Sequence, residues 1–232
     1  MKMNEDTFEH NKKQEKKILE NREDLFYILG VFCNRGNIKD RRLALETSDE
    51  DLAKIVKNKL EKISNNVRIK EKRRKDKIYY LVFANLSENY LKIFQDIRAW
   101  IHYLEEIKES IALENIAILD EYSNLRIMFL RGFFDAKGFL NVVYYYDKKE
   151  NRKKRKIRIR ASSYSFNLLK LIQRMLNIES IKARVYCIAN KDKKNKLYVI
   201  EIQGRNSIEC FKNKIGSERE DKKEELASIL RY

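Results

Sequence analysis

Proline is absent from this chain of 232 residues, although average usage of about 5% would supply roughly a dozen. Lys, Asn, Ile and Tyr are abundant, so the gap reads as AT-biased coding and says little about function. Histidine is nearly absent too. His10 and His102 leave little material for His-based metal sites or Ser/His/Asp hydrolases, and any divalent metal would need carboxylates. The three cysteines, Cys33, Cys187 and Cys210, are odd in number and widely spaced, without CxxC pairing. That excludes a zinc ribbon or a disulfide framework and reads as buried thiols. No run of 18 apolar residues exists to span a bilayer, and the polar start lacks the apolar centre of a secretory signal. The expectation is a soluble, cytoplasmic protein. Acid is also in short supply: 35 Asp and Glu stand against 51 Lys and Arg, a formal charge of +16. Such a balance suits a polyanion better than a small metabolite, with nucleic acid ahead of an anionic membrane.

What is present is enough for a folded core. Hydrophobic residues make up 43% of the chain and aromatics 11%, enough for one large domain or two halves of roughly 100 residues each. Two stretches share a frame. "ILGVFCNRG" runs from Ile28 to Gly36 and "LRGFFDAKG" from Leu130 to Gly138. Gly30 and Gly132 are 102 residues apart, as are Gly36 and Gly138, and each stretch carries a basic residue, Arg35 or Lys137, before its last glycine. This is an internal duplication.

After each copy come two alternating runs, a helical run, two more alternating runs and another helix, so the pattern is αββαββα twice. The first copy is shorter by about a dozen residues, which leaves its first hairpin a stub. The expected division is a charged lead over 1–21, a first half over 22–98, a helical bridge over 99–121, and a second half with a C-terminal helix over 122–232.

The duplicated unit, each copy opened by an apolar helix with glycines six residues apart, resembles the LAGLIDADG homing endonucleases in their single-chain, two-repeat form. "FLRGFFDAKGFL" is close to that family's second motif, "YILGVFCNRGNI" is a looser match to the first, and "FKNKIGSEREDKKEELASIL" looks like the closing segment. The resemblance implies an α+β, pseudo-twofold fold with two four-stranded antiparallel sheets forming a saddle and helices on the outer face. It implies that the motif helices meet at Gly30 and Gly132, and that an acid ending each motif binds the divalent ions that hydrolyse a phosphodiester. Those acid positions fall on Arg35 and Lys137.

A divalent ion about 4 Å from one positive charge is repelled by roughly 8 kcal/mol at an effective dielectric of about 20. The expectation is therefore no catalytic residue at these positions, no metal and no cofactor. Two readings of Arg35 and Lys137 stay open. They are cations suited to the negative end of a helix dipole, or they neutralise the central phosphates of a bound duplex.

By the same resemblance the strands face nucleic acid. Alternation in "KIRIRAS" separates Ile157 and Ile159 from Lys156, Arg158 and Arg160. In the strand after the second motif, Asn141, Val143 and Tyr145 share the face expected to meet nucleic acid, with core packing as the other possibility for the tyrosines. The basic runs "RIKEKRRKDK" and "KKENRKKRKIRIR" are solvated loop tips or phosphate followers. Candidate contact residues are Lys39, Arg41, Arg68, Lys70, Lys72 and Arg73 in the first half. In the second they are Asn141, Tyr145, Arg155, Lys156, Arg158, Arg160 and Arg184.

The functional expectation is a monomeric, catalytically inactive binder of duplex DNA. The alternatives are an RNA-binding, maturase-like or ribonucleoprotein-associated protein that takes structured RNA, and an active endonuclease drawing acids from Asp40 or Glu46.

Overall fold

A computed structural model of the chain describes residues 20–39, 41–64, 66–88, 90–94, 122–147, 151–188 and 196–229, with the backbone alone at 34–36, 39 and 229. The charged lead up to residue 19 and the expected bridge at 99–121 lie outside the described residues, as do Asp40, His10 and His102.

The first half runs α1 (Arg22–Arg35), β1 (Gly36–Lys39), β2 (Arg42–Thr47), α2 (Glu50–Ile63), β3 (Val67–Arg74) and β4 (Lys77–Asn85). Residues 90–94 are again helical. The second half runs α3 (Ser123–Lys137), β5 (Phe139–Asp147), β6 (Arg152–Ser163), α4 (Phe166–Ile178), β7 (Ala183–Ile188), β8 (Leu197–Gln203) and α5 (Arg205–Cys210). A π-helical turn (Phe211–Ile215) and α6 (Glu220–Ile229) close the chain. Each half folds one four-stranded antiparallel sheet, ordered β1-β2-β4-β3 and β5-β6-β8-β7. The short first hairpin is real: β1 and β2 have 4 and 6 residues, and β5 and β6 have 9 and 12.

Burial explains which helix goes where. In α1, Leu25, Tyr27, Ile28, Leu29, Val31 and Phe32 are buried on every side of the helix, and α3 is alike, so both lie inside the molecule against each other. In α2 the buried residues Leu52, Ala53, Val56, Leu60 and Ile63 follow the three-four spacing of one face. That face covers Leu43, Leu45, Val82 and Ala84 of the first sheet, and α4 does the same over Ile159, Ala161, Ile200 and Ile202. Among the described residues the other face of each sheet is left open.

The duplication also reappears at the helix starts. Asp49 caps α2 by accepting from the Leu52 N–H at 2.9 Å, and Thr47 Oγ1 accepts from Asp49 N at 3.1 Å. Ser165 and Ser163 make the same pair of bonds, each at 3.2 Å, at α4.

At Gly30 and Gly132 the helices touch backbone to backbone. A Cβ on Gly30 would collide with the Phe129 carbonyl oxygen and stand 2.8 Å from Phe133 N. One on Gly132 would collide with the Tyr27 carbonyl oxygen and stand 2.9 Å from its carbon.

The cysteine expectation needs correcting. Cys33 and Cys210 are half-buried, and Cys187 is exposed. Cys187 sits near the end of the edge strand β7. No helix among the described residues is long and apolar enough to cross a membrane.

Candidate nucleic-acid interface

Strand register sorts the candidate residues by face. Arg68, Lys70 and Lys72 lie on the open face of β3, opposite Phe83, Leu81 and Tyr79, and Arg42 joins them from β2. All four are exposed. Lys39 falls on the same face by register, opposite Arg42. Arg73 does not: paired with Ile78, it points to the helix side, because strand alternation separates odd from even positions. Arg41 belongs to no strand. It sits in the β1–β2 turn at φ 63°, with its guanidinium paired to Glu88. Glu46, weighed above as a replacement acid, is on the open face but receives Arg74 at 2.5 and 3.0 Å.

In the second sheet, Asn141, Tyr145, Lys156, Arg158, Arg160 and Arg184 share the open face. Arg155 is on the opposite face with Ile157 and Ile159, again by alternation. The centre of the open face holds a residue the sequence reading passed over. Glu201 on β8 is fully buried and faces Arg160 on one side and Arg184 on the other. Its carboxylate receives Arg160 Nε at 2.6 Å, Arg184 Nη2 at 2.6 Å, Tyr186 OH at 3.3 Å and Arg158 Nη1 at 3.4 Å. Burial pushes this carboxyl up, but the bonds and charge of Arg160 and Arg184 outweigh it and hold the group below the usual range. The matching place in the first sheet is Phe83, paired to Arg68 as Glu201 is to Arg184. The two open faces therefore differ: the first carries solvated cations, the second a clamped arginine cluster.

One residue pair further along, Asn141, Arg158 and Gln203 stand side by side across β5, β6 and β8. Asn141 Oδ1, Arg158 Nε and Gln203 Oε1 are buried polar atoms that meet no partner among the described residues. A native fold rarely leaves three such atoms in one row unpaired.

The helix ends form the third part. Arg35 is the last residue of α1 and Lys137 the last of α3. The C-terminal carbonyls of α3 are taken up by a second cation: Lys222 Nζ donates to the oxygens of Phe134, Asp135 and Gly138 at 2.7, 2.9 and 2.6 Å. Burial, reinforced by Arg219, pushes this ammonium down to about 8. Asp135 is turned inward. It accepts from Tyr27 OH at 2.8 Å, from Glu218 N at 3.0 Å and from the Ser217 hydroxyl, and burial raises its carboxyl despite these bonds. Residues 217–222 also tie the halves together, since Glu218 pairs with Lys59 at 3.0 Å and Arg219 with Asp49.

Residues 124–216 match the LAGLIDADG-like domain. No curated protein matches the chain in sequence. Among solved structures, I-DmoI in complex with DNA and Mn superposes with a TM-score of 0.53 at 17% identity, covering 84% of this chain and 97% of that one. The N-terminal LAGLIDADG domain of DUF199/WhiA gives a TM-score of 0.57 at 17% identity, with 89% and 87% covered. Full-length DUF199/WhiA from Thermatoga maritima gives 0.57 at 18% identity, with 90% of this chain spanning 60% of that protein. At these identities the likeness is one of fold: two four-stranded antiparallel sheets with helices, as in the LAGLIDADG proteins.

Proposed function

We propose that this protein binds duplex DNA, as a monomer, through the open faces of its two sheets, and that it does not cut by a metal-assisted route. The observation that carries the reading is the grouping of cations on those faces: Arg42, Arg68, Lys70 and Lys72 on the first sheet and the Glu201-centred cluster on the second. The exposed cations of the first sheet suit phosphates, which fix position without reading sequence. In the second sheet, the row of Asn141, Arg158 and Gln203 suits base edges. Amide side chains pair with adenine and guanidinium groups with guanine in a major groove. I-DmoI, of like fold, has been crystallised with DNA and Mn.

The same likeness raises the question of divalent ions at the helix ends, and the residues there do not fit them. The helices end in Arg35 and Lys137, the α3 carbonyls of Phe134 and Asp135 already receive Lys222, and Asp135 is engaged with Tyr27, Ser217 and Glu218. Among the described residues no group of three or more His, Cys, Asp or Glu is placed to hold a metal. In this reading Arg35 and Lys137 neutralise the central phosphates instead.

A second reading, a maturase-like or ribonucleoprotein-associated RNA binder, draws on the short β1–β2 hairpin, which removes part of the surface that would read one DNA half-site. Titrating labelled duplex DNA at several salt concentrations tests the first reading. Neutralising about eight phosphates gives a slope near −7 for log affinity against log salt, and Arg68→Ala with Lys70→Ala makes it shallower by about 2. A slope near −2, or tighter binding of a structured RNA competitor, counts against it.

A further inference from the structure

The open face of the first sheet is not uniformly charged. Alternation puts Tyr79, Leu81 and Phe83 of the central strand β4 on it, because Tyr80, Val82 and Ala84 point to the helix side. Ala44 of β2 stands beside Phe83. All four are half-buried, and none belongs to the core that α2 covers. Exposed cations border this apolar strip in register: Arg68 pairs with Phe83, Lys70 with Leu81 and Lys72 with Tyr79. Glu71, between two of them in sequence, points to the other face opposite Tyr80. Glu46, an acid on the open face beside Leu81, is held by Arg74, whose guanidinium also lies 5.4 Å from the centre of the Tyr79 ring. The second sheet has charged groups in the matching places, Arg160 for Ala44 and Glu201 for Phe83.

We infer that this strip selects A·T and T·A pairs in one half of the bound duplex by packing against thymine methyl groups. The inference rests on the duplex reading above and adds a choice of sequence, which the bordering cations, as phosphate contacts, do not make. Apolar side chains offer nothing to the donors and acceptors of a base edge. In the major groove thymine alone of the four bases presents an apolar group, its C5 methyl. Against guanine or cytosine the strip would displace water from polar edges and return no hydrogen bond, which costs affinity. The cations draw a polyanion to the rim, and the apolar centre takes the part of it that carries methyl groups.

The test is fluorescence anisotropy of two short labelled duplexes titrated with the full chain. Both have one mixed A/T sequence, and the second carries deoxyuridine for every thymidine. That exchange removes the methyl groups and leaves every hydrogen-bonding group of the bases in place. Burying one methyl is worth about four-fold in affinity, so wild type is expected to bind the thymine duplex tighter by at least that factor. Leu81→Ala with Phe83→Ala is expected to bring the ratio close to one, and Leu81→Asn alone to lower it. These side chains lie off the core, and a thermal melt of each variant checks that it folds. Equal affinity of wild type for the two duplexes overturns the inference and leaves the duplex reading standing. A ratio that survives in the folded double variant does the same, because the methyl groups are then read elsewhere. Failure to bind either duplex overturns both. A dimer in sedimentation that the double variant dissolves also overturns the inference, because the strip is then an interface between copies.

Discussion

Gly132→Ala is expected to cost more than about 3 kcal/mol of folding stability, above the ordinary range of about 1–3 kcal/mol for an overpacked core. The reason is what the new methyl meets. At most core positions it would press on the end of a side chain that can change rotamer. Here it meets the Tyr27 carbonyl oxygen, with the Tyr27 carbon at 2.9 Å and Cα at 3.2 Å, all of them backbone inside a helix. Only separation of α1 and α3 relieves the clash. That movement would stretch the bond from Tyr27 OH to Asp135, which crosses the same interface at 2.8 Å, and uncover Phe129 and Phe133, both fully buried. Gly30→Ala meets the Phe129 carbonyl from the other side and carries the same expectation. Denaturant unfolding of both variants is the measurement. A midpoint equal to wild type for either would mean the helices do not pack as described.

Glu201→Gln is expected to lower stability and raise affinity for arbitrary duplex DNA together. Removing one partner of a fully buried ion pair costs about 3–5 kcal/mol, because the other charge is left unmet. At this site the arginine side chains are partly exposed, Arg160 at 22% and Arg184 at 55%, and can turn to water, so about 2 kcal/mol is the reasonable figure. The freed guanidiniums then reach phosphates, steepening the salt slope by about 0.9 for each. The loss of stability follows pH in a defined sense. The Glu201 carboxyl is held below its usual value in the folded protein, so its contribution is present above the unfolded value of 4.5 and fades as pH falls through the lower, folded value. Thermal melts of wild type and Glu201→Gln should therefore converge in acid. A variant that melts like wild type at neutral pH and binds DNA with an unchanged slope would remove Glu201 from the interface.

Much of this was legible in the sequence because it is periodic. The repeated glycines, the apolar helices around them and the alternating strands pointed to an α+β fold with two four-stranded antiparallel sheets. Alternation applied strictly would also have put Arg73 and Arg155 on the helix side. They were grouped with their neighbours by charge, and charge runs carry no face. Glu201 was harder to see. It sits in "LYVIEIQ", where a lone acid looks like a solvated position, and its meaning comes from Arg160 and Arg184, which are far away in sequence and opposite it only once β6, β8 and β7 are in register. Lys222 is similar: an ordinary charged residue in a polar helix until that helix folds across the end of α3. The exposure of Tyr144 depends on where the helices stop covering β5, a boundary set by tertiary packing and not by the local pattern.

The central claim is that duplex DNA is held by fixed cations and needs no divalent ion. Its most direct test is the affinity for labelled duplex measured in chelator and again with magnesium or manganese at matched ionic strength, followed by electrophoresis of the DNA. The account predicts equal affinities and intact strands. Binding that requires the metal, or cleavage of either strand with Arg35 and Lys137 in place, would contradict it.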